Sequence, residues 1–393
     1  MKIFILKMPY SIPYILLICF FLLIATFQLG VQLDQKTRRY LNYIVILTYI
    51  LFFGFRGFIG WDWYNYYPFY KNIKIGENLL QNQNNISDYG FIFFAALIKY
   101  LFKSYDSFIL INTLINIILL NAIFNRYLDQ KYHAFGYALF LAFNGLFLEV
   151  DLLRNVKALL IFLIAIQYIE ERKPLPYFAL IILAFLFHWS AIFYAPLYFF
   201  LHKPISLKAF LIILVIGNLI FIFQIEYLKP IIRAVSSLFP DTISTKINHY
   251  LDIKIYSRPY GFTLGFFERT IMSLFILLYY NKLVQIQTNI LFINSFLIYI
   301  CLYLFCSEVS IILSRVAINF VYSYWILIPI ILQKMDKGSK PIFYLFYCLL
   351  IILKINIMTN NIFYNYQSSL LSNRNSYTEQ LEIFNKNYKS LLK

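Results

Sequence analysis

Apolar stretches long enough to cross a bilayer recur along this chain, at 10–31, 41–55, 107–124, 133–148, 155–169, 209–225, 264–280, 289–306, 316–333 and 341–358. A spanning helix needs about 20 apolar residues to cross about 30 Å of hydrocarbon. Within lipid its backbone polar groups must be satisfied internally. The repetition therefore predicts an all-α, polytopic transmembrane helical bundle, with about 10–13 membrane segments once shorter stretches are counted. Composition agrees, since 61% of the 393 residues are hydrophobic and 13% are charged. A soluble domain so composed would expose apolar surface it could not cover. No polar stretch is long enough to fold separately, so we expect one membrane domain over 1–358 and an amphipathic tail over 359–393. The first thirty residues look like a signal peptide, but no small-residue cleavage site follows and Arg38 and Arg39 come next. This predicts an uncleaved first span.

Two regions are ambiguous, 89–102 and 176–201, and charge bears on both. The connectors 33–40 (Lys36, Arg38, Arg39), 125–131 (Arg126, Lys131), 170–173 (Glu170, Glu171, Arg172, Lys173) and 333–340 (Lys334, Lys337, Lys340) carry clustered cations. Placing all four in the cytoplasm satisfies the positive-inside tendency. The N-terminus, the 56–88 loop, the Glu149–Arg154 turn, the 226–263 loop, the 307–315 turn and the tail then lie outside. Under that parity 89–102 is not a full crossing but an interfacial or re-entrant helix. With His202, Lys203 and Lys208 also inside, 176–201 must bend near His188.

The chain holds 34 Lys and Arg against 18 Asp and Glu. The bland explanation is orientation of the spans, and the functional one is an anionic substrate. No basic run suits nucleic acid. Cys19, Cys301, Cys306 and Cys348 lie in apolar stretches without CxxC spacing, and no His or carboxylate set has metal-ligand spacing. Neither a metal nor another cofactor is expected.

Ionisable residues near the membrane are costly and are usually paired or functional. Arg56 precedes Asp62 by six residues in FRGFIGWDWYNYYPFY. The stretch suits either an aromatic belt with an Arg56–Asp62 ion pair or a sugar-and-phosphate platform, with Arg56 on phosphate, Asp62 taking a proton and Tyr66 positioning sugar. Arg154 and Lys157 open a helix, where cations oppose the macrodipole. They are either snorkelling anchors or the ligands of an anion held at that terminus. His188 is flanked by Phe187, Trp189 and Ser190, and is either a satisfied core histidine or a general base. Arg315 lies two helical turns after Glu308 and either pairs with it or binds phosphate. The 226–263 loop adds Arg233, Lys246, His249, Lys254 and Arg258, read as solvated. In the tail, Ser376-x-x-Glu379 is a capping-box signature, and Leu381, Phe384, Tyr388 and Leu391 share one helical face.

Several of these stretches resemble the EpsG family of Wzy-like bacterial capsular and exopolysaccharide polymerases. FRGFIGWDWYNYYPFY is similar to its arginine–glycine–aspartate–tyrosine signature. Ser87-Asp88-Tyr89-Gly90-Phe91 resembles its acidic-x-Gly-Phe element, with Asp for the usual Glu. LLRNVKALLIFLIAIQYIEERK resembles its Arg-Gln-x-x-Ala helix, with Asn155 for Gln. FALIILAFLFHWSAIFYAPLYFF matches its Ala-x-x-Phe-His-x-Ser-Ala stretch, and Ser314-Arg315-Val316 its late arginine element. Five elements in order over roughly 30–335 make the likeness specific.

The resemblance implies an integral glycosyltransferase of the bacterial inner membrane. It would join oligosaccharide repeat units carried on undecaprenyl pyrophosphate at the periplasmic face. Arginine is the preferred bidentate ligand of phosphate, so Arg56, Arg154 and Arg315, with Lys157, become the expected substrate ligands. Asp62 and His188 are the expected catalytic bases. Membrane lipid and a chain-length regulator or other assembly protein are the expected partners. Two other classes compete: a flippase for lipid-linked oligosaccharide, and an acyltransferase acting on the glycan.

Overall fold

A computed structural model describes residues 9–74, 88–238, 240–253, 261–371 and 374–391. Ser87, Lys254 and Arg258 lie outside the described residues, as does the side chain of Lys246. Among the described residues there is no β-strand, only an isolated bridge between Arg56 and Ser368. The all-α membrane architecture holds. Among the described residues six segments are individually long and apolar enough to cross a membrane: Ile12–Gly30, Tyr105–Tyr127, Gln130–Val150, Gln287–Phe305, Ala317–Lys334 and Lys340–Thr359. The chain forms two compact units, one of 1–198 with 336–393 and the other of 199–335. The 358/359 boundary thus falls inside the first unit.

The first unit opens with α1 (Ile12–Gly30), which has proline in its first turn, and α2 (Gln35–Tyr49), where the Asp34 side chain accepts from Thr37 N at 3.4 Å. Both are N-terminal signals that offset unpaired backbone donors. A π-type turn, Ile50–Gly54, ends α2. There follow α3 (Trp63–Asn72), α4 (Tyr89–Phe102), α5 (Tyr105–Tyr127), α6 (His133–Phe140), α7 (Leu146–Val150), α8 (Leu153–Glu170) and α9 (Pro174–Phe187). The turn between α6 and α7 is broken at Phe143 and at Asn144, whose φ is +66°. After α9 comes a 3-10 helix, Trp189–Phe199.

The basic connectors of this unit gather at one end. Asn42 Nδ2 donates to Gln130 O at 3.0 Å, and Arg126 lies 3.4 Å from Glu171 and 3.8 Å from Glu170. The Tyr344 hydroxyl, in the first turns of the helix Lys340–Thr359, meets Thr26 Oγ1 at 2.9 Å near the end of α1. At the other end Ser11 Oγ donates to Asn356 Oδ1 at 2.7 Å, and Trp189 N to Asp88 Oδ1 at 3.3 Å.

Helix α4 begins beside Asp88 and stops just before α5, whose first residue, Tyr105, packs on Phe58 and Tyr67 at that same end. It does not cross. The 176–201 region does bend at His188, where the backbone is extended (φ −159°, ψ 127°). The 3-10 helix then returns antiparallel to α9, with Tyr177 Oη donating to Tyr194 O at 2.6 Å and Arg172 to Tyr198 O at 3.2 Å. A 3-10 helix rises about 2.0 Å per residue against about 1.5 Å for an α-helix. Eleven residues therefore retrace roughly the length that fourteen cover in α9.

The second unit contains α10 (Leu207–Ile222), α11 (Leu228–Ser236), α12 (Asp241–Asp252), α13 (Leu264–Leu283), α14 (Gln287–Phe305), α15 (Ser310–Arg315) and α16 (Ser323–Lys334). The expected 226–263 loop thus holds two helices, and Arg233 on α11 pairs with Asp252 on α12 at 2.7 Å. The chain re-enters the first unit with α17 (Lys340–Thr359) and α18 (Tyr377–Leu391).

Candidate functional site

The turn that leads into α3 is held by one carboxylate. Asp151, between α7 and α8, accepts at Oδ1 from the backbone N–H groups of Trp61 and Asp62, and at Oδ2 from Tyr364 Oη at 2.7 Å. Burial pushes the Asp151 carboxyl up from its ordinary pKa, and those donors work the other way. Gly60 precedes the pair with φ +81°, and a Cβ there would run into Asp151 Oδ1 and Val150. Glycine is required at that position by conformation and by space. The result is that Asp62, half-buried, is fixed at the start of α3.

One turn later on α3, buried Tyr66 faces Arg154 Nε at 3.5 Å. Burial first, and Asp62 second, push the Tyr66 phenol up to about 12, while Arg154 opposes them, so the phenol is neutral near pH 7. Arg154 is a quarter exposed and forms an ion pair through Nη1 with Asp88, whose side chain is 4% exposed. Asp88 also accepts from Trp189 N, and its Oδ2 lies 3.8 Å from His188 Nδ1, just beyond hydrogen-bond reach. Burial acts to raise the Asp88 pKa, but His188 and Arg154 outweigh it and hold the carboxyl below the usual range. Asp62, Tyr66, Asp88, Arg154 and His188 therefore come together at the end of this unit opposite the basic connectors.

Two expected ligands are placed differently. Arg56 is 4% exposed and does not pair with Asp62. It donates to Phe53 O at 2.7 Å, Thr113 Oγ1 at 3.2 Å and Glu149 O at 2.8 Å, and lies 3.6 Å from Glu149 Oε1. Thr113 and Asn116 donate to the same carboxylate, each at 2.8 Å. Lys157 extends this network inward. It is 1% exposed and bonds to Asn112 Oδ1, with Leu153 O at 3.3 Å and Asn116 Oδ1 at 3.5 Å. A guanidinium and an ammonium desolvated together need such partners, and these partners leave neither cation facing outward.

The aromatic platform is also occupied. Trp61 stacks on Phe363 at 3.9 Å, Tyr64 on Phe384 at 5.1 Å and Tyr67 on Tyr377 at 4.4 Å. The tail supplies all three covering rings. It is bound through Gly57 N to Gln367 O, Gly60 N to Phe363 O and Gln380 Nε2 to Phe58 O. The capping box forms as expected, Ser376 N donating to Glu379 Oε2 and Glu379 N to Ser376 Oγ.

Arg315 belongs to the second unit. Its side chain is exposed and has no hydrogen-bond or ion-pair partner among the described residues. Glu308 does not pair with it. Its carboxylate instead accepts the N–H groups of Tyr227, Leu228 and Lys229 at 2.7–3.0 Å, capping α11.

The profile of the EpsG family matches residues 39–368. This chain belongs to the EpsG family. The match runs from the start of α2 to the strap that crosses Arg56, and so takes in every residue of the site. EpsG membership makes the chain a polysaccharide-polymerase-like membrane protein of polysaccharide biosynthesis. No curated protein and no solved structure matches it.

Asp88, Asp151 and Glu149 were not singled out as site residues from the sequence. Asp88 carried a signal in the acidic-x-Gly-Phe resemblance, and Glu149 and Asp151 in being carboxylates beside Arg154. Their side-chain partners are 33 to 213 residues away, beyond the reach of local pattern.

Proposed function

We propose that this EpsG-family protein is a glycosyltransferase that polymerises oligosaccharide repeat units carried on undecaprenyl pyrophosphate, acting at the external face of the bacterial inner membrane. The observation that carries the reading is the meeting of Arg154 and His188 at Asp88, with Tyr66 beside Arg154 and Asp62 one turn before Tyr66 on α3. An arginine that can grip phosphate lies beside two groups that can take a proton.

In this reaction the acceptor hydroxyl oxygen bonds to the anomeric carbon of the donor glycan. The bond from that carbon to the pyrophosphate oxygen breaks, and the pyrophosphate leaves with the electron pair. The hydroxyl proton passes to Asp62 or His188. The bidentate fork of Arg154 neutralises the leaving group, exchanging Asp88 for phosphate oxygens. Asp88 holds Arg154 oriented and charged until the substrate arrives. Tyr66, neutral and buried beside Arg154, donates a hydrogen bond from its phenolic O–H to a sugar oxygen. Arg315 offers an exposed guanidinium of the kind that binds phosphate.

Deletion of the protein followed by gel analysis of lipid-linked glycan tests the reading. A polymerase mutant accumulates single repeat units on the external leaflet. Repeat units trapped in the cytoplasmic leaflet would make the protein a flippase, and full-length polymer would remove it from chain extension.

A further inference from the structure

At the end of the first unit opposite the candidate site, a cavity of about 250 Å³ is lined by Arg39, Asn42, Asn121, Asn125, Gln130 and His133. Some of these groups are already committed. Asn42 accepts from Gln28 Nε2 and donates to Gln130 O, both at 3.0 Å. His133 reaches Leu128 O at 3.2 Å, and Asn121 Oδ1 accepts from Tyr137 Oη at 3.2 Å. What remains is informative. The Arg39 guanidinium and the Asn125 amide have no partner among the described residues. The Asn121 side-chain N–H groups are equally uncommitted. Gln130 Oε1 is a buried acceptor with nothing bonded to it. A buried acceptor left unmatched is costly, so such groups are normally satisfied.

The chemistry of the vacant groups defines a ligand. Several donors and one guanidinium call for an anion with fixed oxygens, and the buried acceptor Gln130 Oε1 calls for a hydroxyl or ammonium on the same molecule. A phosphodiester carrying a hydrogen-bond donor has both. The volume is below the roughly 300–1,000 Å³ of drug-sized pockets, and suits a headgroup. A second cavity shares Arg39 and Tyr43 with the first and adds Lys36 and Tyr40. Beyond it, Ile44 and Leu47 on α2 are exposed, giving an apolar continuation along the same helix. Basic pockets between spans on the positively charged end of a membrane protein bind phospholipid headgroups.

We infer that this cavity is a phospholipid site, selective for headgroups that combine a phosphodiester with a hydroxyl or ammonium donor. Arg39, Asn121 and Asn125 take the phosphate, and Gln130 Oε1 takes the donor. The site is separate from the proposed reaction and does not depend on it.

Native mass spectrometry of the full chain in detergent tests it, with phosphatidylglycerol, phosphatidylethanolamine and phosphatidylcholine of identical acyl chains added in turn. Phosphatidylglycerol or phosphatidylethanolamine should be retained on the order of tenfold more than phosphatidylcholine, which has no donor. Arg39→Ala combined with Asn125→Ala, both surface positions, should abolish the preferential adduct. Gln130→Met should keep lipid binding but erase discrimination against phosphatidylcholine. Equal retention of all three lipids by the wild type, or unchanged adducts in the double variant, would overturn the inference. Glycerol phosphate that binds as tightly as the lipid would overturn the lipid assignment and make the site one for a soluble phosphate ester.

Discussion

Asp88 and Arg154 close the candidate site with an ion pair between positions 66 residues apart, the carboxylate enclosed and the guanidinium at the rim. The pair ties the start of α4 to the start of α8 and puts a carboxylate where an arriving phosphate would sit. Five predictions follow from this geometry and its surroundings.

Arg154→Lys should reduce polymerisation on the order of a hundredfold while leaving the protein folded, because charge is kept and the bidentate fork is lost. Polymer length and yield in a complemented deletion strain check this. Normal chain length in the variant would remove Arg154 from substrate binding.

Asp88 should contribute nothing to an acid limb of activity between about pH 5 and 7. Its folded-state pKa is lowered. The stability it contributes is therefore fully present above its unfolded value of about 3.9, and is lost only as pH falls through the lower folded value. Asp88→Asn should leave the position of any such limb unchanged while weakening the hold on Arg154. A pH–rate profile of the variant that loses the limb contradicts the assignment.

Asp62 and His188 compete for the role of base. Whichever acts, its isosteric replacement, Asp62→Asn or His188→Gln, should lower turnover about 10²- to 10⁴-fold with substrate binding retained. The other replacement should have a far smaller effect. Single-turnover assays on lipid-linked repeat units separate the two, and equal small losses in both would leave the proton without an acceptor here.

Glu149→Gln or Arg56→Met alone should destabilise the protein by about 3–5 kcal/mol, since each strands a buried charge. The double replacement should recover much of that loss. Thermal unfolding in detergent reads the effect, and additive single losses would show that the pair acts as two independent residues.

Gly60→Ala should cost about 1–3 kcal/mol from the left-handed backbone alone, with more from the collision at Asp151. Lower activity should accompany lower thermal stability, because Asp62 depends on the same turn. A variant with wild-type melting behaviour would show that the turn tolerates a Cβ by relaxing.

Much of this arrangement was legible in the sequence, and the legible part was governed by the bilayer. Apolar length marked the six segments long enough to cross, and the cations at 170–173 taken with those at 202–208 called for a bend at His188, which the structure contains. The placement of individual cations was not legible. Arg56 and Arg154 look alike in sequence, each at the end of an apolar run. Only Glu149 and Thr113, brought in from α7 and α5, turn Arg56 inward, while Asp88 leaves Arg154 at the rim. Likewise the tail announced its capping box and apolar face but not its docking surface, the rings of Trp61, Tyr64 and Tyr67.

The strap at 363–368 sets an order of events. The Phe55 carbonyl takes a donor from the Ser368 side chain, 313 positions further along, and the Gly60 N–H takes its acceptor from the Phe363 carbonyl. While the ribosome is still making the later spans, the turn that carries Asp62 therefore lacks the bonds that Phe363 and Tyr364 supply to Gly60 and Asp151. They can form only once the strap has left the exit tunnel and pairs with Arg56. A truncation anywhere before it should leave the bundle with this turn untied.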